Sequence, residues 1–135
     1  MLGTLREDGS PRISPCELDL ANGHLILGMM WQSRKALDLL RDARCVVHTC
    51  TTDRMGTEGD AKIYARAQSV DDPELRRAYR DAVKQRIDWA PDEPSFHAFS
   101  VDVLSAGFIS FGEPKTVIAW DPERGTRVLP FPDGE

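Results

Sequence analysis

Hydrophobic and polar residues alternate with a period of two through the first third of the chain, which is the pattern of strands. Met1 to Arg6 is short and partly apolar, and Thr4 and Leu5 suit a strand. Asp8-Gly9 reads as a hairpin turn, because the tight primed turns need φ > 0. Alternation resumes over Ile13 to Leu20, predicted as one strand with Cys16, Leu18 and Leu20 on one face and Glu17 and Asp19 on the other. Pro15 interrupts it, and a residue that cannot donate to a ladder marks an edge, a bulge or a pocket wall. Asn22-Gly23 is a second hairpin signal. His24 to Trp31 is apolar almost throughout, as in a strand buried on both faces or lining a barrel.

The period then changes to that of a helix. Ser33 is a good N-cap, and Ala36, Leu37, Leu39 and Leu40 give a short amphipathic helix ending near Arg44. Cys45 to Thr51 returns to strand, Thr52 to Asp60 is a polar loop, and Ala61 to Val70 is a further strand. Pro73 sits where a first helical turn tolerates it, and Leu75, Tyr79, Ala82, Val83 and Ile87 recur at helical spacing, so 73–89 is the longest helix. A proline-bearing break over Trp89 to Pro94 leads into one or two strands within Phe96 to Phe111. A last hairpin joins Thr116 to Trp120 with Arg127 to Leu129 about Pro122 and Gly125. There is no internal repeat, linker or low-complexity run. Short connections imply antiparallel pairing, and about six strands with few helices predict a mainly β (α+β) fold, a small antiparallel barrel with flanking helices.

Composition narrows the function classes. The 135 residues correspond to one domain spanning 1–135, and 41% hydrophobic with 29% charged residues is ordinary for a soluble globular protein. A net charge of −5 disfavours general binding to nucleic acid or to an anionic membrane, although a local basic patch still suits one small anion. No apolar run approaches the roughly 20 residues of a membrane span. The opening MLGTLREDGS has no basic region followed by an apolar stretch, so no signal peptide is read. The 3 cysteines are odd in number and none forms a CxxC, which argues against a disulfide framework or structural zinc and for a reducing, cytoplasmic location. The expected partner is a small-molecule substrate rather than nucleic acid or membrane.

The chemically informative stretch is Trp31-Gln32-Ser33-Arg34-Lys35. If Ser33 caps the helix, Arg34 and Lys35 fall in its first turn, where the macrodipole disfavours a cation by about 0.3–1 kcal/mol. Two cations there make sense if an anion sits on them, held by free backbone N–H groups, the Ser33 hydroxyl and the two side chains. Alternatively both side chains extend into water at small cost.

The run TLREDGSPRISP, an apolar strand, and then SRKALDLLRDARCVV resembles the pyridoxamine 5′-phosphate oxidase-like, FMN-binding split-barrel superfamily. The likeness covers most of residues 3–70 and continues more loosely towards the C-terminus. It implies a six-stranded split β-barrel, a flavin-dependent oxidoreductase with FMN as cofactor, and a homodimer with the site at its interface. Arg34 and Lys35 fall on the family's basic pair for the FMN phosphate, with Ser33 as cap and hydroxyl donor. Arg12, Ile13 and Ser14 fall on the strand beside the flavin and its ribityl chain. Gly28 and Met29 fall on the strand whose backbone approaches the cofactor, and Asp60 falls near the position where the next subunit meets the flavin. No catalytic side chain is implied. Related members use the deazaflavin F420 or bind haem, so an F420-dependent reductase and a non-catalytic haem- or flavin-binding module are the alternative expectations.

The chain also departs from that family. Pyridoxamine phosphate oxidases carry an Arg-x-His element for the substrate, and GEPKTVIAWDPERGTRVL has none. The lysine usual near the end of the second strand is replaced in a region holding Cys16 and Glu17. Family chains commonly begin with a helix before the first strand, and here the first strand starts almost at Met1.

Other constellations read as packing. His48 and Cys50 share a strand face while Cys45 points the other way, so three metal ligands do not converge. His24 follows a turn and is read as solvated, and His97, between Phe96 and Phe99, as a barrel-rim residue or a site residue. Met29, Met30 and Trp31 are either core or a flat apolar wall. The basic run Arg76, Arg77, Arg80, Lys84 and Arg86, interleaved with Glu74 and Asp81, is read as a solvated, salt-bridged helix face. No G-x-S-x-G or G-x-G-x-x-G supports a hydrolase elbow or a dinucleotide-binding domain.

Overall fold

In a computed structural model that describes residues 1–132, all three predicted hairpins form. The first strand, β1 (Leu2–Leu5), turns at Gly9 (φ +83) into β2 (Pro11–Ser14), with Leu2 opposite Ser14. Asn22 and Gly23, both left-handed at φ 46 and 77, join β3 (Leu18–Ala21) to β4 (His24–Met30). The helix α1 (Arg34–Arg41) leads to β5 (Arg44–His48) and β6 (Asp60–Ser69), then α2 (Pro73–Ile87), β7 (Phe96–Ser110), β8 (Thr116–Asp121) and β9 (Gly125–Leu129).

All the pairings are antiparallel, in the order β2-β1-β5-β6-β7-β4-β3, with β8 and β9 added beside β7. The sheet does not close, because its edges β2 and β3 do not pair. This is the split barrel that the resemblance implies, built from nine strands rather than six. The 15-residue β7 carries the extra pairing: its first half lies against β4, its second half against β8, and β6 runs beside both.

One predicted element is corrected. Ile13 to Leu20 is not a single strand but the end of β2 and the start of β3, which lie at opposite edges of the sheet. The residues Pro15, Cys16 and Glu17 cross the open side between them. The alternation holds on β3 with the charged residue inward: Asp19 is 7% exposed and Leu20 is 67% exposed. The cause lies outside the strand. Arg86 of α2 donates Nε and Nη2 to the Asp19 carboxylate at 2.8 and 3.0 Å, so the buried charge is paired.

The strand β4 is buried on both faces, as its continuous apolar run predicts. Leu27 and Met29 pack with Leu2, Ala36, Leu39, Cys45 and Phe99, while Ile26 packs with Tyr79, Val83, Phe96 and Ala98 beneath α2. At eight residues α1 is too short to be stable by itself. Its Ser33 cap makes no side-chain hydrogen bond, so the burial of Ala36 and Leu39 holds it. It ends at Arg41 rather than near Arg44, and Leu40 is exposed. The Asp72 side chain accepts from the Glu74 N–H at 3.1 Å and caps α2. Its basic residues form salt bridges, as the sequence reading of a solvated, salt-bridged face has it, and two of them reach beyond the helix. Arg76 reaches Glu93 at 2.8 Å, and Arg86 reaches β3, so these cations fasten the helix to its surroundings. No helix among the described residues is long and apolar enough to cross a membrane.

Candidate functional site

A cleft of about 650 Å³ opens where Pro15–Glu17 crosses the split side of the barrel. One wall is β4, with Gly28, Met29 and Met30. The opposite wall is the α2–β7 connection, with Trp89, Pro91, Asp92, Ser95 and Phe96. Lys35 of α1 stands at one end and Tyr79 of α2 lies within. Its volume falls in the range of small-molecule sites, roughly 300–1,000 Å³, and its lining is mainly apolar with few polar groups.

The polar end is built by a sharp change of direction. Gln32 adopts φ 57, and the Ser33 N–H donates to the Met30 carbonyl at 3.1 Å, which turns β4 into α1. Ser33 is extended at the N-cap, and its Oγ is buried with no hydrogen-bond partner. No acidic residue lies in the first turn. Lys35 donates Nζ to the Pro15 carbonyl at 2.5 Å.

The two cations of the Ser-Arg-Lys run part company here. Adjacent helical positions are about 100° apart, and Arg34 faces a neighbouring pocket of about 560 Å³ with Arg6, Arg12 and Arg41. Arg12 is held there by Asp38, to which it donates Nε at 2.6 Å. The cleft therefore gathers Gly28, Met29 and Lys35 of the residues singled out in the sequence, the second pocket gathers Arg12 and Arg34, and Ser33 lines neither. Ser14 is half-buried on β2 and Ile13 is 72% exposed beside it. Asp60 opens β6 opposite Ile109, with a buried, unpartnered Oδ1, and lines neither pocket.

Gly28 has a specific neighbour. A Cβ built on it would lie 1.7 Å from the Tyr79 hydroxyl oxygen, so the absent side chain makes room for the phenol. Gly28→Ala is expected to cost about 1–3 kcal/mol, because the Tyr79 ring is fixed against Phe96 and Val83 and has no free direction to move. A urea-denaturation midpoint unchanged from wild type would contradict this packing. Burial, with the Asp19 and Glu17 carboxylates nearby, pushes the Tyr79 phenol up to about 12. Burial also pushes the Cys16 thiol up. Tyr79, Trp89 and Phe96 were not marked as site residues by sequence. The one available signal was a tyrosine, rather than a phenylalanine, at a core position of the α2 repeat.

Beyond β4, Trp31 is 56% exposed and stacks on the buried His97 with ring centroids 4.5 Å apart and planes 7° from parallel. His97 Nε2 has no partner. Burial, then the positive charge of Arg76, lowers its pKa below the ordinary value near 6.5. The unfolded chain therefore takes up this proton first, and the folded state loses stability as pH falls below about 6.5. Urea midpoints at pH 7.5 and 5.5 should differ more in wild type than in His97→Leu. An equal drop in both proteins would contradict this assignment.

These features have counterparts in known proteins. A family model described as pyridoxamine 5′-phosphate oxidase matches residues 1–109. A search of curated proteins returns no match. Among solved structures, a haem-binding protein from Mycobacterium smegmatis superposes with a TM-score of 0.70 at 19% identity, covering 90% of this chain; the match spans 52% of that protein's length. A pyridoxamine 5′-phosphate oxidase-related, FMN-binding protein from Nostoc punctiforme gives 0.70 at 11% identity, over 96% of this chain and 85% of that one. A protein from Clostridium acetobutylicum related to general stress protein 26 of B. subtilis, of the pyridoxinephosphate oxidase family, gives 0.68 at 13% identity, over 91% and 84% of the two chains. At these identities the superpositions establish the split-barrel fold, and the family model, matching four-fifths of the sequence, establishes that the chain belongs to the pyridoxamine 5′-phosphate oxidase family.

Proposed function

We propose that the chain binds FMN in the cleft beside β4 and acts as a flavin-dependent oxidoreductase. The observation that carries this reading is the polar end of an otherwise apolar slot. There the Lys35 ammonium lines the cleft from the first turn of α1, and Ser33, with an enclosed and unpartnered hydroxyl, caps that helix just outside the cleft lining. A cation at a helix N-terminus fits a phosphate, which takes backbone N–H groups and a cation together. The walls, with Met29, Met30, Phe96 and Trp89, fit a flat ring system. When bound, FMN supplies hydride and electron transfer.

The chain's own residues bind and orient. Lys35 holds the phosphate, Ser33 caps the helix behind it, and Arg34 adds positive charge from the adjoining pocket, which it shares with the Arg12–Asp38 pair. Gly28 and Met29 belong to the strand that runs beside the ring, and Ile13 and Ser14 lie on the β2 edge. Asp60 belongs to this reading only through a second copy of the chain. A homodimer is proposed for that reason, and because Ile13, Met30 and Trp31 leave large apolar surfaces exposed near the cleft. Light scattering tests it, with twice the 15.1 kDa chain mass expected.

Parallel titrations with FMN and F420, read by flavin fluorescence, test the cofactor. Saturable micromolar or tighter binding of FMN supports the reading, and preference for F420 transfers it to the deazaflavin. A second reading, a haem-binding module, draws on the free Nε2 of His97 and on the haem-binding structural neighbour. His48 is less suited, because its Nδ1 already bonds the Thr49 carbonyl at 2.6 Å. A Soret band on adding haem, lost in His97→Ala, would support that module.

A further inference from the structure

We propose that the Tyr79 end of the cleft receives a second molecule, the substrate, and that it is an uncharged planar compound whose hydrogen-bond acceptor meets the Tyr79 hydroxyl. The proposal deepens the flavin reading by naming the class of molecule that would meet the cofactor.

Tyr79 is 6% exposed and lines the cleft, yet its hydroxyl has no hydrogen-bond partner among the described residues. The hydroxyl oxygen is not enclosed but opens on the cleft, where a bound molecule would replace water as its partner. Phenylalanine would fill the same place on the α2 repeat without presenting a donor to the cleft. The ring has no freedom to seek a partner elsewhere, since it is tilted against Phe96 at 5.8 Å and its hydroxyl presses on Gly28. The phenol stays protonated at physiological pH, so it has an O–H to donate, and an acceptor on the bound molecule would take it.

Charge at this end of the cleft sets the substrate class. Glu17 and Asp92 line the cleft, and the carboxylate of Asp92 has no ion-pair partner among the described residues. The nearby Arg86 guanidinium is already taken up by Asp19 at 2.8 Å and Glu17 at 3.1 Å. Lys35 is the sole cation among the described residues lining the cleft, and it stands on the α1 side. A phosphorylated or carboxylate-bearing molecule at Tyr79 would therefore face like charge with no free cation to receive it. An uncharged ring with a carbonyl meets no such penalty.

The test uses three ligands on the full chain: 2-acetylnaphthalene, which is uncharged and has an acceptor; naphthalene, which has none; and 2-naphthyl phosphate. Binding is read by quenching of tryptophan fluorescence, since Trp89 lines the cleft, with and without saturating FMN. The expected result is saturable binding of 2-acetylnaphthalene that FMN does not displace. It should weaken about 5- to 10-fold in Tyr79→Phe while naphthalene is unaffected. The naphthyl phosphate should bind at least about tenfold more weakly than 2-acetylnaphthalene, with the gap narrowing in Glu17→Gln/Asp92→Asn, an exposed pair whose replacement leaves the core intact. Equal loss of both uncharged ligands in Tyr79→Phe would make the tyrosine a packing residue, and no loss would mean that only water meets the hydroxyl. Either result overturns the proposal, as does displacement by FMN, tight binding of the phosphate, or no binding at all. Flavin fluorescence follows FMN separately. Loss of FMN binding with Tyr79-dependent ligand binding intact would remove the flavin reading alone.

Discussion

Replacing Asp38 with alanine is expected to lower the free energy of unfolding by about 3 kcal/mol. Asp38 lies on the inner side of α1, where its side chain is 5% exposed. It accepts from the Thr4 hydroxyl at 2.8 Å and from Arg12 Nε at 2.6 Å, and Arg41 approaches at 3.4 Å. Burial alone would push its carboxyl up, but the hydrogen bonds from Arg12 and Thr4 outweigh burial and hold the pKa below the ordinary range. Removing the carboxylate leaves the buried Thr4 hydroxyl and the Arg12 guanidinium without their acceptor. Breaking a buried pair costs about 3–5 kcal/mol, and the low end applies because Arg12 and Arg41 retain contact with water. Urea denaturation measures the loss directly. The depressed pKa also fixes the sign with pH: the contribution is complete above about 3.9 and is lost as pH falls through the folded value. A loss below about 1 kcal/mol would mean that Asp38 does not organise this corner. The same carboxylate positions Arg12 in the pocket it shares with Arg34, so a fall in FMN affinity should accompany the loss of stability.

Replacing Arg34 and Lys35 together with alanine is expected to weaken FMN binding by about 10- to 100-fold, the range for losing charge-assisted contacts to a phosphate. Lys35 should account for most of it, because it lines the cleft while Arg34 lines the adjoining pocket. Stability should move the other way. Arg34 is exposed, Lys35 has one carbonyl partner, and cations in a first helical turn oppose the dipole by about 0.3–1 kcal/mol. A variant that binds FMN poorly and resists urea at least as well as wild type is the signature of residues placed for a ligand. Equal affinity in the double variant would remove the phosphate assignment.

The elements that were legible in the sequence are those fixed by local chemistry. Asp8-Gly9 and Asn22-Gly23 supply the positive φ of their turns, Pro73 opens α2, and the 3.6 repeat of Tyr79 and Val83 marks its buried face. What the sequence hid depends on partners far along the chain. Pro15 signals an interruption, but nothing local says that the strands on its two sides lie at opposite edges of the sheet. Asp19 reads as an outward residue until Arg86, 67 positions later, arrives to pair with it and turns the face around. The count of six strands fell short because β7 is long enough to pair with three neighbours and to carry the β8–β9 hairpin. At the site, the Ser-Arg-Lys run was visible, whereas the division of its cations between two pockets follows from helix geometry and from Asp38 holding Arg12. Tyr79 was visible only as a core residue, because the empty space at Gly28 that receives its hydroxyl exists only once α2 packs on β4.

The central claim is that the cleft beside β4 holds FMN with its phosphate at Lys35 and the N-terminus of α1. Titrating FMN with wild type and with Arg34→Ala/Lys35→Ala, read by flavin fluorescence, tests it most directly. The account predicts saturable binding of one FMN per chain at micromolar or tighter affinity, and a clear loss in the variant. Absence of saturable binding to the wild-type chain, or identical curves for the two proteins, would contradict it.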